Sequence, residues 1–378
     1  SYDQIVRELL AATGTVISNP SVAWYKRVKD PKQQLEDVAQ LFLGVRLQCA
    51  QCHHHPFERW SQDDYYSLSA FFSQVGRKPT STRGEDFIFH RRGVAAAKNA
   101  KTGKLLKPTA LGDSVGEISA DEDPRLRLAD WMSSKENPFF AKALVNRYWK
   151  HFFKRGLIEP EDDIRDTNPP TNPELLAALE NHFIDSGYDL KELVRLITSS
   201  NAYQLSAMPN EYNTVDRQNY SRYYPKRLQA EVLLDAIDTL TDSPSRFGGV
   251  PAGTRAVQLP DNAFNSYFLT VFGRPDSASA CECERSSDAN LAQCLHLLNS
   301  QEIHNKVTGA RSRRLASDKE AHGANIRELY LVAFSREPTE SELSVATSHI
   351  EKKGDEVQAA YEDIVWVLIN TKEFLFNH

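Results

Sequence analysis

The chain has 378 residues, of which 40% are hydrophobic and 25% are charged, and its formal net charge at pH 7 is -6. This composition excludes a disordered chain, and the length suffices for two or three domains with buried cores. Basic residues are mixed with acidic ones, and no apolar run reaches the roughly 18 residues of a membrane span. The sequence therefore predicts neither a nucleic-acid-binding surface nor a transmembrane segment.

The first residues are already amphipathic, and their apolar spacing predicts a helix over residues 3–13 that ends near Gly14. No signal peptide begins at Ser1. We therefore interpret the chain as a mature product, or as a fragment from which a targeting segment has been removed.

A second helix is predicted to begin at Asp30, which can cap it, with Pro31 in the first helical position. Its apolar face is formed by Leu35, Val38, Leu41, Phe42 and Val45. We expect this helix to run directly into Cys49.

Residues 47–57 concentrate metal-binding side chains, because Cys49 and Cys52 are followed by three histidines. A C-x-x-C-H spacing lets two thiols form thioether bonds to one porphyrin edge while His53 binds the iron. Two alternatives stay open, a structural role and a tetrahedral zinc site. The zinc donors would be Cys49, Cys52, His53 and His55. Zinc donors usually come from two separate segments, so covalent haem is the preferred interpretation.

After the histidines, Ser61 and Asp64 predict a new helix whose aromatic residues form a wall beside the cysteines. Residues 76–124 are predicted to form a β-containing connection, with a strand at 86–90 and a hairpin turn at 101–104. Helical patterns dominate the remainder. Asn137 is expected to cap one helix, and a capping box is predicted between Thr339 and Glu342.

The ligand on the opposite face of the iron is left open by the sequence. The possible donors are Met208, His151, His182, His90 and His304. A methionine would raise the reduction potential, a histidine would lower it, and an open face would permit chemistry on small molecules. His55 cannot easily reach an iron that His53 already binds, so we expect it to support the site through hydrogen bonds.

Two further features receive simpler interpretations. Cys281, Cys283 and Cys294 form a second cysteine cluster, for which a structural disulfide and one buried thiol are expected in an oxidising compartment. The acidic run at residues 159–163 is predicted to solvate a loop before Arg165, in preference to a calcium site or an acid–base pair.

Several motifs resemble those of planctomycete-type proteins. Residues 42–57, 63–66 and 71–72 resemble the end of the planctomycete-type cytochrome c domain, a family of unknown function with a C-x-x-C-H-x-H pattern. The companion C-terminal domain of that family is similar to residues 137–141, 145–149, 168–176 and 203–206. Together these motifs cover most of the chain. The resemblance implies a covalent haem and a role for His55, but it supplies no activity.

We therefore predict a mainly α fold with a small β-hairpin insertion. Residues 1–75 would be the C-terminal part of a cytochrome c-like haem-binding domain, 76–124 a β-containing connection, and 125–378 a larger helical companion domain. The expected cofactor is one covalent haem c, in a protein of electron transfer or haem-based redox catalysis. The alternative is a zinc-binding or structural protein that uses the same cluster.

The haem interpretation carries expectations about location and partners. We expect an exported protein, periplasmic or at the cell surface, whose partner is a redox protein or a small-molecule substrate. The chain is longer than a simple electron carrier requires, which favours an oxidoreductase.

Overall fold

The computed structural model describes residues 1–275, 290–318 and 321–377. The chain divides into two compact units, Ser1–Tyr224 and Pro225–His378. Helices dominate both units, and the sheets of the described ranges are small antiparallel pairs of strands. The predicted mainly α class is confirmed.

The first unit is a helical core with two β-hairpins. Its helices are α1 (Tyr2–Leu10), α2 (Ala23–Arg27), α3 (Pro31–Val38), α4 (Gln62–Ser69), α5 (Pro124–Met132), α6 (Phe140–Phe153), α7 (Pro173–Asp185) and α8 (Leu190–Thr198). The hairpins pair β1 (Val75–Pro79) with β2 (Asp86–His90), and β3 (Ala97–Lys98) with β4 (Leu105–Leu106). The strand predicted at 86–90 and the turn at 101–104 are both found.

One hydrophobic core runs through the whole first unit. It includes Leu35 from α3, Ile88 from β2 and Val145 from α6, each almost completely buried. The predicted boundaries at residues 75 and 124 therefore fall inside one compact unit, and the boundary between the two units lies at residue 225.

The helix that precedes the cysteines begins where it was predicted to begin, but it ends earlier than predicted. Asp30 accepts a hydrogen bond from the Lys32 N–H at the start of α3, and Pro31 is its first residue. The helix widens into a π-type turn at Ala39–Leu43 and stops at Gly44, whose φ is 67°. The prediction that it runs directly into Cys49 is wrong, because a residue in the left-handed region ends an α-helix.

Near two other predicted helix starts, a polar side chain accepts backbone N–H groups. Ser61 and Asp64 form a capping box at α4. Asn137 Oδ1 accepts the N–H groups of Phe139 and Phe140 at 2.9 Å each, but α6 begins later than predicted, at Phe140, and its N-cap position is Phe139.

The second unit is also helical. Its described helices are α9 (Ala230–Thr241), α10 (Tyr267–Val271), α11 (Leu291–Asn299), α12 (Gln301–Val307), α13 (Ala310–Ser317), α14 (His322–Phe334), α15 (Glu340–Lys353), α16 (Val357–Ile369) and α17 (Lys372–Leu375). Strands β5 (Lys226–Arg227) and β6 (Phe376–Asn377) pair antiparallel. The predicted capping box of Thr339 and Glu342 begins α15. Across the described ranges, no helix is both long enough and apolar enough to cross a membrane.

The second cysteine cluster is only partly visible. Cys281 and Cys283 lie outside the described residues. Cys294 lies on α11 as an exposed free thiol. For this residue, the predictions of a disulfide bond and of a buried thiol are both wrong.

Candidate functional site

The C-x-x-C-H segment lies on a short 3-10 turn at the surface of the first unit. This turn spans Gln48–Gln51, and Leu47 and Ala50 bury their side chains in the core, with exposures of 1% and 0%. Cys49 and Cys52 are both free and exposed. The alternation of buried and exposed residues therefore holds both thiols at the surface, three positions apart.

Helix α4 holds the end of this turn through polar contacts. The Gln62 side-chain amide donates to the Gln51 carbonyl at 3.0 Å, and the Tyr66 hydroxyl donates to the same oxygen at 3.4 Å. Tyr65 and Phe71 are fully buried in the core. The aromatic wall predicted beside the cysteines included Tyr65 and Phe71, and both pack into the core instead. Helix α4 contacts the motif through the side chains of Gln62 and Tyr66.

The ring of His53 has one nitrogen committed and one available. Its Nδ1 lies 2.6 Å from the carbonyl oxygen of His54. A carbonyl oxygen only accepts, so Nδ1 carries the proton and Nε2 of the neutral ring keeps its lone pair. The side chain is exposed. His53 thus presents Nε2 as a potential metal ligand next to the two thiols.

His55 closes the loop that carries the motif. The Nδ1 atom of its ring accepts the backbone N–H of Phe57 at 3.3 Å, and the ring also hydrogen-bonds the backbone of Arg46. The backbone N–H of His55 donates to the Trp60 carbonyl at 2.9 Å. Burial and the nearby Arg165 charge lower the pKa of His55. A neutral ring with these bonds joins the beginning and the end of residues 46–60.

The acidic run has a structural role that its sequence did not indicate. Asp162 is completely buried, accepts the Gln40 side-chain amide at 2.6 Å and pairs with Arg46. The Ile164 N–H donates to the Gly44 carbonyl at 2.8 Å. The prediction that this run solvates a loop is wrong, because distant partners from the motif's entry segment compensate the buried charge.

Replacing Asp162 with asparagine tests this role. Burial opposes ionisation of Asp162, but the hydrogen bonds from Arg46 and Gln40 outweigh it and lower the pKa of Asp162. A carboxylate with a lowered pKa stabilises the fold above its ordinary pKa, and the stabilisation is lost as pH falls through the lowered value. We expect D162N to reduce the free energy of unfolding at pH 7 by about 1–3 kcal/mol. The difference from the unmodified chain should shrink below about pH 4.

Urea unfolding monitored by circular dichroism measures this difference. Asp121 provides the matched control, because its ion pair with Arg92 is 3.4 Å long and both side chains are largely exposed. D121N should change the free energy of unfolding by less than about 0.5 kcal/mol. Equal effects of the two substitutions would show that Asp162 has no special role.

A cavity of about 300 Å³ lies beside the end of the motif. Its walls come from three segments: Glu58 to Trp60 after the histidines, Pro138 to Lys142 at the start of α6, and residues 158–176. Residues that directly follow the cysteine motif therefore meet two of the segments that resemble the companion domain, 137–141 and 168–176, at one place in the first unit.

The predicted sixth ligands lie on other segments. Met208 is 77% exposed, and its N–H donates to the Ser206 hydroxyl at 3.1 Å. His151 is exposed near the end of α6 with its ring 5.2 Å from that of Phe152. Neither lines the cavity beside the motif. The structure thus brings Cys49, Cys52, His53 and His55 together on one loop.

The fold and the motif define a mainly helical protein that presents a C-x-x-C-H-x-H loop at its surface. The model of the family PSD1, described as a protein of unknown function (DUF1553), matches residues 124–350. The chain belongs to this family. The model of PSCyt2, a protein of unknown function (DUF1549), matches residues 1–77 and so includes the motif. No curated protein and no solved structure matches the chain.

These matches confirm the coarser part of the resemblance noted from the sequence. Both families are planctomycete-type domains, and the one that contains the motif precedes the one that covers the larger helical part. Their descriptions assign no activity.

Proposed function

We propose that this protein carries one covalent haem c on Cys49 and Cys52, with His53 as the axial ligand, and acts in electron transfer or haem-based redox catalysis. The observation that supports this proposal is that the side chains of Cys49, Cys52 and His53 are exposed and positioned to bind the group. Both thiols are free and exposed, and the Nδ1 of His53 already bonds a carbonyl oxygen. Metal-binding histidines commonly donate their second ring N–H to such an acceptor, which orients the ligating nitrogen. The donor set therefore fits haem c.

The chain's own residues would attach and orient the group. The haem would supply an iron that changes oxidation state. Leu47 and Ala50 hold the turn against the core. His55 and the Asp162–Arg46 pair fix the two ends of the loop, so the thiols and the imidazole keep one geometry.

A zinc site is the alternative proposal, and two observations count against it. His55 would have to give up its bonds to Phe57 and Arg46 in order to bind zinc. In addition, no three His, Cys, Asp or Glu side chains of the described ranges are arranged to hold a metal ion. A tetrahedral site needs four such donors, so the loop would have to refold.

The haem proposal also concerns location and partners. Thioether attachment points to an exported protein, in the periplasm or at the cell surface. The partner would be a redox protein or a small-molecule substrate.

An absorption spectrum separates the two cofactors. Protein purified from a host that attaches haem c should be red, and its porphyrin should stay with the chain after denaturation. Metal analysis should find iron. A colourless protein that contains zinc would contradict the proposal.

Carbon monoxide binding tests whether the second axial position of the iron would be free of a protein ligand. Neither Met208 nor His151 lines the cavity beside the motif, so we expect the reduced protein to bind carbon monoxide readily. M208A and H151A should each leave the absorption spectrum unchanged. A spectrum that does not respond to carbon monoxide in the unmodified chain, but does so in one variant, would identify that residue as the sixth ligand.

A further inference from the structure

Three neighbouring cavities in the second unit lie along the loop that follows α9. The first, of about 510 Å³, and the second, of about 500 Å³, share Phe247 and Asn265 in their walls. The second shares Asp261 with a third cavity of about 300 Å³, which has no wall residue in common with the first. Cavities connected in this order form one elongated groove, which we call the loop groove. Its shape suits a chain-like ligand better than a compact one.

The charges of the loop groove are balanced. Its walls have equal numbers of basic and acidic side chains, namely Arg246, Arg274, Lys306, Glu231, Asp261 and Glu302. Lys306 pairs with Asp238, and Glu302 lies 3.1 Å from the ring nitrogen of His296. An excess of one sign would attract a charged polymer such as a nucleic acid or a polyuronic acid. The balance therefore favours a neutral ligand.

Side-chain amides of the loop groove are available for hydrogen bonds. Asn265 is exposed in the wall between the first two cavities, and its amide has no partner among the described residues. Asn305 accepts the Gln301 side-chain amide at 2.8 Å, but its own NH2 group donates to no described residue. An amide both donates and accepts hydrogen bonds, as a hydroxyl group does. These two side chains therefore match a neutral ligand that is rich in hydroxyl groups.

Aromatic side chains follow the same groove. Tyr267, in the first cavity, is 66% exposed, and its ring centroid lies 5.3 Å from that of the buried His296. This contact holds the ring in place while most of its surface faces water. Phe247 and Phe264 line the second cavity. A fixed, exposed aromatic ring offers a flat apolar surface that the C–H face of a sugar ring would cover.

The loop groove is less suited to an extended peptide. Such peptides commonly bind by adding a strand to the edge of a sheet. Within the described part of the second unit, the sheet consists of β5 and β6, and neither strand lines the groove.

We propose that the loop groove binds a neutral oligosaccharide, with sugar rings against Tyr267 and Phe247 and hydroxyl groups bonded to Asn265 and Asn305. Elongated shape, balanced charge, free amides and exposed aromatic rings each match this class of ligand. The proposal depends on the groove alone and does not require the haem.

Calorimetric titration of the full chain with maltohexaose, xylohexaose and mannohexaose tests the proposal. We expect at least one of these linear sugars to bind with a dissociation constant of about 1 mM or lower. Hexagalacturonate, which is anionic, and hexaglycine, which is a peptide, should bind at least about tenfold more weakly than that sugar. Absence of binding of all three sugars up to about 10 mM would overturn the proposal. Equal or tighter binding of hexagalacturonate or hexaglycine would overturn it as well.

Two variants locate the bound sugar. Y267A and N265A should each weaken its binding about tenfold, because one removes the aromatic surface and the other an amide. Both side chains are exposed, so we expect the variants to fold, which circular dichroism checks. The matched control is Y212A, because Tyr212 is 87% exposed in the first unit. Sugar affinity that is the same in folded Y267A, N265A and Y212A would refute binding in the loop groove.

Discussion

Serine at both Cys49 and Cys52 is expected to abolish covalent haem attachment. A thioether bond needs a sulfur atom, and a hydroxyl group does not form one with the porphyrin edge. Both thiols are exposed, so their replacement leaves the buried side chains of the turn in place. The double variant should therefore fold while its denatured chain shows no porphyrin absorbance.

Cys294 supplies the control for this experiment. It is a free, exposed thiol on α11, far along the chain from the motif. C294S should keep the full haem content. Porphyrin that stays bound to the denatured double variant, or that is lost from C294S, would contradict the assignment of Cys49 and Cys52.

Alanine at Gly44 is expected to cause the largest loss of stability. Gly44 has a φ of +67°, and an added Cβ would lie 2.6 Å from Ile164 Cδ1 and 3.3 Å from Ala143 Cβ. The left-handed conformation costs roughly 1–2 kcal/mol for a residue with a Cβ, and overpacking costs about 1–3 kcal/mol more. We expect the free energy of unfolding to fall by about 2–5 kcal/mol, and haem attachment to fall with it.

Gly84 separates the two contributions. Its φ is +78°, but an added Cβ would meet no atom within 4 Å. G84A should therefore show only the conformational cost of about 1–2 kcal/mol. Urea unfolding of both variants measures the difference, which is the contact with Ile164 and Ala143. Equal losses in G44A and G84A would mean that this contact contributes nothing.

The helix starts could be predicted because their causes are local. Asp30 with Pro31, and Ser61 with Asp64, satisfy free N–H groups within three residues of themselves. Any fold that places a helix there keeps these bonds. Short-range chemistry of this kind is visible in a single sequence.

The end of the second predicted helix could not be predicted, because its cause is distant. The apolar spacing continues through Gly44 to Val45, and a glycine inside a helical pattern is ambiguous. The left-handed turn is held by the Ile164 N–H, which donates to the Gly44 carbonyl from more than a hundred positions away. Only the folded chain shows that this contact exists.

The prediction that the acidic run at residues 159–163 forms a solvated loop was wrong for the same reason. Five consecutive positions rich in carboxylates normally indicate a solvated loop. Asp162 is nevertheless buried, because Gln40 and Arg46 reach it from the segment that leads to the cysteines. The metal-binding side chains, in contrast, are consecutive in sequence, so residues 49–55 could be recognised as one site without the fold.

The most direct test of the haem proposal is the mass of the proteolytic peptide that contains Cys49 and Cys52. The protein should be produced in a host that attaches haem c, denatured and digested before mass spectrometry. We expect this peptide to carry the added mass of one haem, and the peptide that contains Cys294 to be unmodified. A Cys49–Cys52 peptide without added mass, recovered from a host that loads a control cytochrome c in the same culture, would contradict covalent haem attachment.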